Sequence, residues 1–242
     1  MFKYIKNIKD FLIFSRVFLL AKPFSGLFKT ISNFSLFTLW ISKVNKDKTL
    51  LINDFYVPTR DHSRRYKLYD KVGRTLEVET KRINYVEFGV ASGNSFKWWI
   101  NFNKNTDSHF AGFDTFEGLP ESWGGYKKGE MSFKIPDITD ERAEFYKGLF
   151  QATLNPFLDK NRNRFAESLN IIHLDADLFS ATIFALSQVY KFLKKGDIII
   201  FDEFNVPNHE FFAYKIFTES FGVKLKLIGA VNNFYQVAFI VE

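Results

Sequence analysis

From residue 83 onward, short apolar runs alternate with stretches of helical period, and the runs end in glycine or in carboxylates. "INYVEFG" (83–89), "HFAGFD" (109–114), "EFYKGLF" (144–150), "LNIIHLDAD" (169–177) and "DIIIFDEF" (197–204) have the length and branching of buried strands. "SGNSFKWWINFNKN" (92–105), "QATLNPFLDK" (151–160), "SATIFALSQVYKFLK" (180–194) and "HEFFAYKIFTESFG" (209–222) read as helices, with Ser180 as an N-cap and Gly222 as a stop. Strands that alternate with helices form a mostly parallel sheet covered on both faces. "VKLKLIGAV" and "YQVAFIVE" face each other across Asn232-Asn233, which predicts a closing hairpin and an antiparallel last strand. The expected fold class is therefore α/β and Rossmann-like, with helices on both faces of the sheet.

The N-terminal residues obey a different pattern. Residues 1–43 are apolar and basic, with Asp10 as the only acid, and "VNKDKT" (44–49) reads as a linker. The chain is thus expected to divide into an N-terminal basic, apolar helical segment, 1–50, and a catalytic domain, 51–242. The apolar runs "FLIFSRVFLLA" and "FSLFTLWI" fall short of the roughly 20 residues that a spanning helix needs. Two readings stay open for this segment. It packs on the core or on a subunit partner in a homo-oligomer, or it lies on an anionic membrane surface. The chain lacks cysteine, so it has no disulfide framework and no thiolate metal site. Nothing resembles a cleavable leader, and a cytoplasmic location is expected, with or without peripheral contact to the inner membrane face. The 31 Phe predict a Phe-rich core.

In doubly wound sheets, ligands bind outside the carboxyl ends of the strands, which is where this chain collects its acids. "EFGVASGNS" (87–95) occupies the first strand-to-helix turn, with Glu87, Gly89, Ala91, Gly93 and Ser95 as cofactor-binding candidates. It is not G-x-G-x-x-G, and a tight turn without ligand is the plain alternative. Asp114, at the next strand end, lies at the distance at which an acid meets ribose hydroxyls. A glutamate beside the turn suits a cationic ligand better than a pyrophosphate. Together these acids favour S-adenosylmethionine over a nicotinamide dinucleotide. Asp175 and Asp177 close one strand, and Asp202 and Glu203 close another.

"NYVEFGVASGNSFKWW", "FAGFDTFEGLPESW", "KGLFQATLNPFL", "HLDADLFSAT" and "GDIIIFDEF", in that order, resemble the macrocin O-methyltransferase family of class I methyltransferases. The resemblance spans about residues 55–242. It implies a seven-stranded sheet, S-adenosylmethionine, a divalent metal such as Mg²⁺, and a sugar hydroxyl of a glycan or glycosylated small molecule as acceptor. By the same resemblance Glu87, Gly89 and Gly93 fall on the cofactor motif, Asp114 on the ribose acid, Asp175 and Asp202 on metal ligands, and Asp177 on a general base. Glu203 stands where relatives carry a second Asp, and its extra methylene moves that carboxylate outward. Asp175 and Asp177 share a face if the strand persists, so the choice of ligand and base between them stays open.

Other residues rank lower as candidates. His173 reads as a hydrogen-bonded core histidine, and His62 and His109 have no evident partner. His209 is a lesser candidate for the acceptor site. Arg64 and Arg65 read as a solvated helix face rather than as a phosphate grip. Phe116, Trp123 and Tyr126 lie in the long Gly- and Pro-containing stretch 115–141, as sugar platforms or as loop packing. The formal charge of +6 keeps a nucleic-acid methyltransferase in view. Without an Asn-Pro-Pro-Tyr motif or a basic stripe, no nucleic-acid partner is expected. A nicotinamide-dependent oxidoreductase and a non-catalytic scaffold at a membrane are the remaining alternatives.

Overall fold

The computed structural model describes residues 2–123 and 125–242. Its centre is a seven-stranded sheet made of β1 (Ile83–Phe88), β2 (His109–Asp114), β3 (Ala143–Lys147), β4 (Leu169–Leu174), β5 (Ile198–Phe201), β6 (Leu225–Val231) and β7 (Gln236–Val241). The strand order is β3-β2-β1-β4-β5-β7-β6. All pairs are parallel except β5 with β7 and β6 with β7. The chain builds outward from β1 in one direction and from β4 in the other, so the strand order reverses between them. Phe88 and Leu174 are register partners there, and the two strand ends are level.

Alternation along the strands splits the core into two layers. Val86, Phe88, Ile172, Leu174, Ile199 and Phe201 face α5 (Phe150–Lys160), α7 (Phe179–Val189) and α8 (Glu210–Phe221). Tyr85, Phe110, Ile171, Ile198 and Ile200 face α3 (Arg64–Thr75) and α4 (Asn94–Phe102). A short helix, α6 (Arg162–Glu167), precedes β4. The closing hairpin forms as expected, and Asn232, Asn233 and Phe234 all adopt positive φ in its turn. Asparagine tolerates that region because its short polar side chain bonds locally.

Several boundaries differ from the sequence reading. β4 ends at Leu174, so Asp175 to Asp177 are not strand. The Asp175 amide still donates to Phe88 O at 2.8 Å, but by Asp177 the backbone has turned to φ 60°. Strand alternation therefore does not set the relation of the two aspartates. β3 ends at Lys147 because Gly148 adopts φ 140° and α5 begins at Phe150. Ser180 is not an N-cap: α7 starts one residue earlier, and the Ser180 hydroxyl donates to Glu121 Oε1 at 2.7 Å.

The N-terminal region is helical. α1 (Phe2–Ser15) leads through a left-handed Arg16, φ 53°, into a 3₁₀ stretch, Val17–Phe24, and then α2 (Ser25–Val44). Only the inner face of α2 packs on the core. Phe37 meets Phe211 at a centroid distance of 4.9 Å and Trp40 meets Phe204 at 5.2 Å. Residues 51–53 then run beside β6, where the Leu51 amide donates to Ile228 O and the Ala230 amide to Ile52 O. That contact covers backbone groups a sheet edge would otherwise leave open.

Candidate active site

A cleft of about 460 Å³ opens at the carboxyl ends of β1, β2, β4 and β5. Gly89, Ala91, Asp114, Asp175, Asp177 and Glu203 line it. Glu87, Gly93, Ser95 and Asp202 do not; they lie behind its wall.

The glycine turn is shaped first by the protein itself. Gly89 has φ +87°, and a Cβ there would sit 1.9 Å from the Asp175 carbonyl oxygen. Gly93 has φ +77°, and a Cβ there would meet the Pro136 ring at 2.7 Å. Asp114 clamps the turn from β2: Oδ2 accepts from the Val90 and Ala91 amides at 2.8 and 2.9 Å, and Oδ1 from the Phe116 amide at 2.7 Å. A carboxylate has about four lone-pair sites, so Asp114 retains capacity for a hydroxyl in the cleft. Opposite it, Leu119, Met131, Phe133 and Phe150 supply an apolar wall. An acid for hydroxyls facing an apolar wall fits a nucleoside such as that of S-adenosylmethionine. The long stretch 115–141 contributes much of this wall. Its other aromatics turn away: Trp123 and Tyr126 stack on each other at 5.9 Å, and Phe116 packs on Phe145.

Glu87 corrects the expectation of a carboxylate presented to the ligand. It projects to the α3–α4 side of the sheet and is 1 % exposed. Its Oε2 accepts from the Tyr85 hydroxyl at 2.7 Å, and Tyr85 Oη lies 2.7 Å from His173 Nδ1. Tyr69 Oη lies 3.3 Å from His173 Nε2 and 3.2 Å from Ser95 Oγ. One proton assignment satisfies the whole chain: Ser95 donates to Tyr69, Tyr69 to His173 Nε2, His173 Nδ1–H to Tyr85, and Tyr85 to Glu87. Burial pushes His173 down to about 3 and Glu87 up to about 8. The imidazole is neutral, as this assignment requires. His173 is thus the buried core histidine of the sequence reading.

The acids of β4 and β5 form a second, more strongly charged group, and Arg65 is central to it. The α3 guanidinium lies 2.8 Å from Asp202 Oδ2 and 3.6 Å from Asp175 Oδ2. The reading of Arg65 as part of a solvated helix face is overturned. Arg64 instead pairs with Asp54 at 2.8 Å. Gln236 donates to Asp202 Oδ1, and the Tyr235 hydroxyl donates to Glu203 Oε1 at 2.8 Å. Burial raises Asp175, Asp202 and Glu203, and the neighbouring Asp202 charge pushes Asp175 and Glu203 further. Burial also lifts Asp177 to about 6, and it raises Glu210, which is fully buried behind the group.

This group suits a hard divalent cation. His173, Asp175 and Asp202 each offer a ligand atom within 4.8 Å of the others. Both His173 nitrogens are already engaged by tyrosines, so carboxylate oxygens are the better donors, and Mg²⁺ prefers oxygen. Glu203 Oε2 is buried without a hydrogen-bond partner among the described residues. Asp202 Oδ2 is buried too, and its contact with Arg65 is an ion pair outside hydrogen-bond geometry.

The remaining histidines are scattered. His62 packs against Tyr235 and touches Arg65, and His209 Nδ1 accepts from the Phe179 amide at 3.3 Å. His109 pairs with Glu144 at the opposite end of β2. Sequence reasoning passed over Tyr85, although it stands two residues before Glu87 on the same strand face. Arg65, Tyr235 and Gln236 carry no such local signal.

The profile of the family described as Macrocin-O-methyltransferase (TylF) matches residues 62–235. Among solved structures, CalS11, calicheamicin methyltransferase, superposes with a TM-score of 0.59 at 19 % identity, covering 75 % of this chain and 80 % of that one. An apo structure of CalS11, described as a TDP-rhamnose 3'-O-methyltransferase, gives 0.54 at 19 % identity over 87 % and 93 %. The O-methyltransferase NovP gives 0.51 at 17 % identity over 73 % and 78 %. At these identities the structural likeness establishes the fold. Among curated protein sequences none matches. The family match covers most of the chain, including the glycine turn and all four strand-end acids, so this protein belongs to the macrocin O-methyltransferase family and is an S-adenosylmethionine-dependent O-methyltransferase.

Proposed function

We propose that the protein methylates a sugar hydroxyl of a glycan or glycosylated small molecule, assisted by a divalent cation held by Asp175, Asp202 and Glu203. The observation that carries this reading is the shared cleft. Asp114 and the apolar wall line the same cleft as the acids Asp175, Asp177 and Glu203. The description of CalS11 as a TDP-rhamnose 3'-O-methyltransferase supports the substrate class.

When bound, S-adenosylmethionine supplies a methyl group on a sulfonium, and a divalent cation supplies the acidity that makes a sugar hydroxyl easier to deprotonate. The chain's residues do the rest. Asp114 holds the turn that the cofactor rests on and offers its spare lone pair to a ribose hydroxyl. Leu119 and Phe150, both buried, line the apolar side of the cleft and keep water from it. Asp177 lines the cleft, and its carboxyl, lifted to about 6, is ionised near neutral pH. It is the group we assign to take the acceptor's proton, which would leave that oxygen as the O–CH₃ bond forms and the sulfonium S–CH₃ bond breaks. Asp175 and Asp202, both paired with Arg65, are the groups we assign as cation ligands, and the base role then falls to Asp177.

The first test is a calorimetric titration of the purified protein with S-adenosylmethionine, with Asp114→Ala as control. The expected result is binding that the control loses. Methyl transfer to nucleotide sugars follows, with and without a chelator. Full activity in excess chelator would remove the cation from the mechanism, and no binding by a folded protein would remove the cofactor assignment.

A further inference from the structure

The strongest unexplained feature lies outside the cleft. α1, the 3₁₀ stretch and the outer face of α2 present large apolar side chains to solvent, with Phe14 87 % and Leu20 78 % exposed. Ile5, Ile8, Phe11, Phe18, Phe28 and Ile31 add to the same surface. Soluble monomers rarely leave a contiguous apolar surface of this kind uncovered.

Charge decides what covers it. Residues 1–44 hold seven of the 33 Lys and Arg but one of the 27 Asp and Glu, which leaves 26 of each sign in the remainder. The whole formal charge of +6 therefore sits on the segment that exposes the apolar side chains, and the catalytic part is neutral. On α1, Tyr4, Ile5, Ile8, Phe11 and Leu12 share one face, and Lys6, Lys9 and Asp10 lie on the other, interleaved with Ile13 and Phe14. A second copy of the chain would bring like charges together across an apolar contact, and charged residues are depleted from such cores. An anionic lipid surface accepts both features at once: acyl chains take the Phe and Leu, and headgroups take the Lys and Arg.

We propose that residues 2–39 form an interfacial anchor that lies on an anionic bilayer. The anchor lies in the interface rather than crossing it. Among the described residues no single helix is long and apolar enough to span; Tyr4–Ser15 and Val17–Val44 reach that length and composition only together, and they are bent by 67° from each other. The anchor is fixed to the catalytic part beside the cleft. Asn33 Nδ2 donates to Asn208 Oδ1 at 2.9 Å, and Asn208 Nδ2 donates to Thr30 Oγ1 at 2.8 Å. Lys29 Nζ stands 5.9 Å from the centre of the Phe179 ring, and Phe179 is flanked by Leu178 and Ser180 of the cleft wall. α2 therefore joins the lipid-seeking surface to the edge of the active site.

The test is co-sedimentation of the full-length protein with vesicles of phosphatidylglycerol and phosphatidylcholine, against phosphatidylcholine alone. Binding to the anionic vesicles is expected, weaker by about tenfold or more on neutral ones and at high salt. Phe14→Glu/Phe18→Glu/Leu20→Glu is expected to abolish binding while leaving the melting temperature and S-adenosylmethionine binding unchanged. Lys6→Glu/Lys9→Glu, which alters no apolar residue, is expected to weaken it as added salt does. Absence of binding to anionic vesicles, or binding that both variants retain, overturns the proposal. So does a stable oligomer by light scattering that the triple variant dissociates and that ignores vesicles; a second copy would then cover the surface. None of these readouts depends on the acceptor or the cation.

Discussion

The N-terminal helices and the central sheet draw on the same residue types and use them in opposite ways. Both are rich in Phe, Leu and Ile. In the sheet, Phe88, Phe113, Ile172, Ile199 and Phe201 are fully buried. In the N-terminal region Phe14, Phe18 and Leu20 face solvent, and Phe37 alone among the large apolar residues of α2 is fully taken into the core. The difference lies in partners. A strand's two faces are covered by helices that the same stretch of chain supplies, whereas the described contacts of α1 are with the 3₁₀ stretch that follows it. Apolar content therefore does not determine burial, and the region that leaves its apolar surface open is also the one that carries the net charge.

Perturbations of the two regions should separate cleanly. Asp175→Ala gives the largest effect: transfer falls by about a hundredfold or more in a methyl-transfer assay, since the proposed cation site loses a ligand. Its affinity for S-adenosylmethionine by calorimetry stays close to that of the parent. Equal loss of both would mean that the two halves of the cleft are not independent. Gly89→Ala should cost about 4 kcal/mol in urea denaturation, because the new Cβ meets backbone at 1.9 Å in a left-handed conformation. Gly26→Ala in α2 meets nothing within 4 Å and should stabilise by less than about 1 kcal/mol.

Phe37→Ala and Phe14→Ala test the same contrast within the N-terminal helices. The first empties a site among Trp40, Phe204 and Phe211 and should cost about 3 kcal/mol. The second removes an exposed ring and should change stability by less than about 0.5 kcal/mol. A large loss at Phe14 in vesicle-free solution would show that the surface is already covered.

A pH dependence tests the buried face of the sheet. Burial raises Glu87 from 4.5 to about 8, so the folded state holds this proton more tightly than the unfolded chain. The stability that this protonated group confers is complete below pH 4.5 and is lost as pH rises toward about 8. Glu87→Gln imitates the protonated acid. Melting temperatures of the variant and the parent should therefore diverge across that window in favour of the variant and run parallel above it. Parallel curves throughout would place an ionised Glu87 in the resting protein.

Much of the site was legible because its signals are local. "EFGVASGNS", Asp114 and the two strand-end acid pairs announce themselves by position, each at the end of an apolar run. Where local rules failed, a neighbouring element had intervened. Asp177 leaves the strand face because β4 stops at Leu174 and the chain turns through φ 60°. Ser180 caps nothing because its hydroxyl is taken by Glu121 of the long loop. Glu87 looked like a ligand for a cation, but its strand face belongs to Tyr85 and His173.

The sequence by itself determined the order of strands and helices, the closing hairpin and the placing of carboxylates at strand ends, because periods of two and 3.6 residues are set between near neighbours in the chain. Tertiary structure alone decided what stands opposite those carboxylates. Arg65 reaches Asp202 and Asp175 only after α3 has packed across the sheet, and Tyr235 reaches Glu203 only after β7 has paired with β5. Such contacts join residues distant along the chain, and no local pattern encodes a meeting that depends on the order in which strands lie side by side.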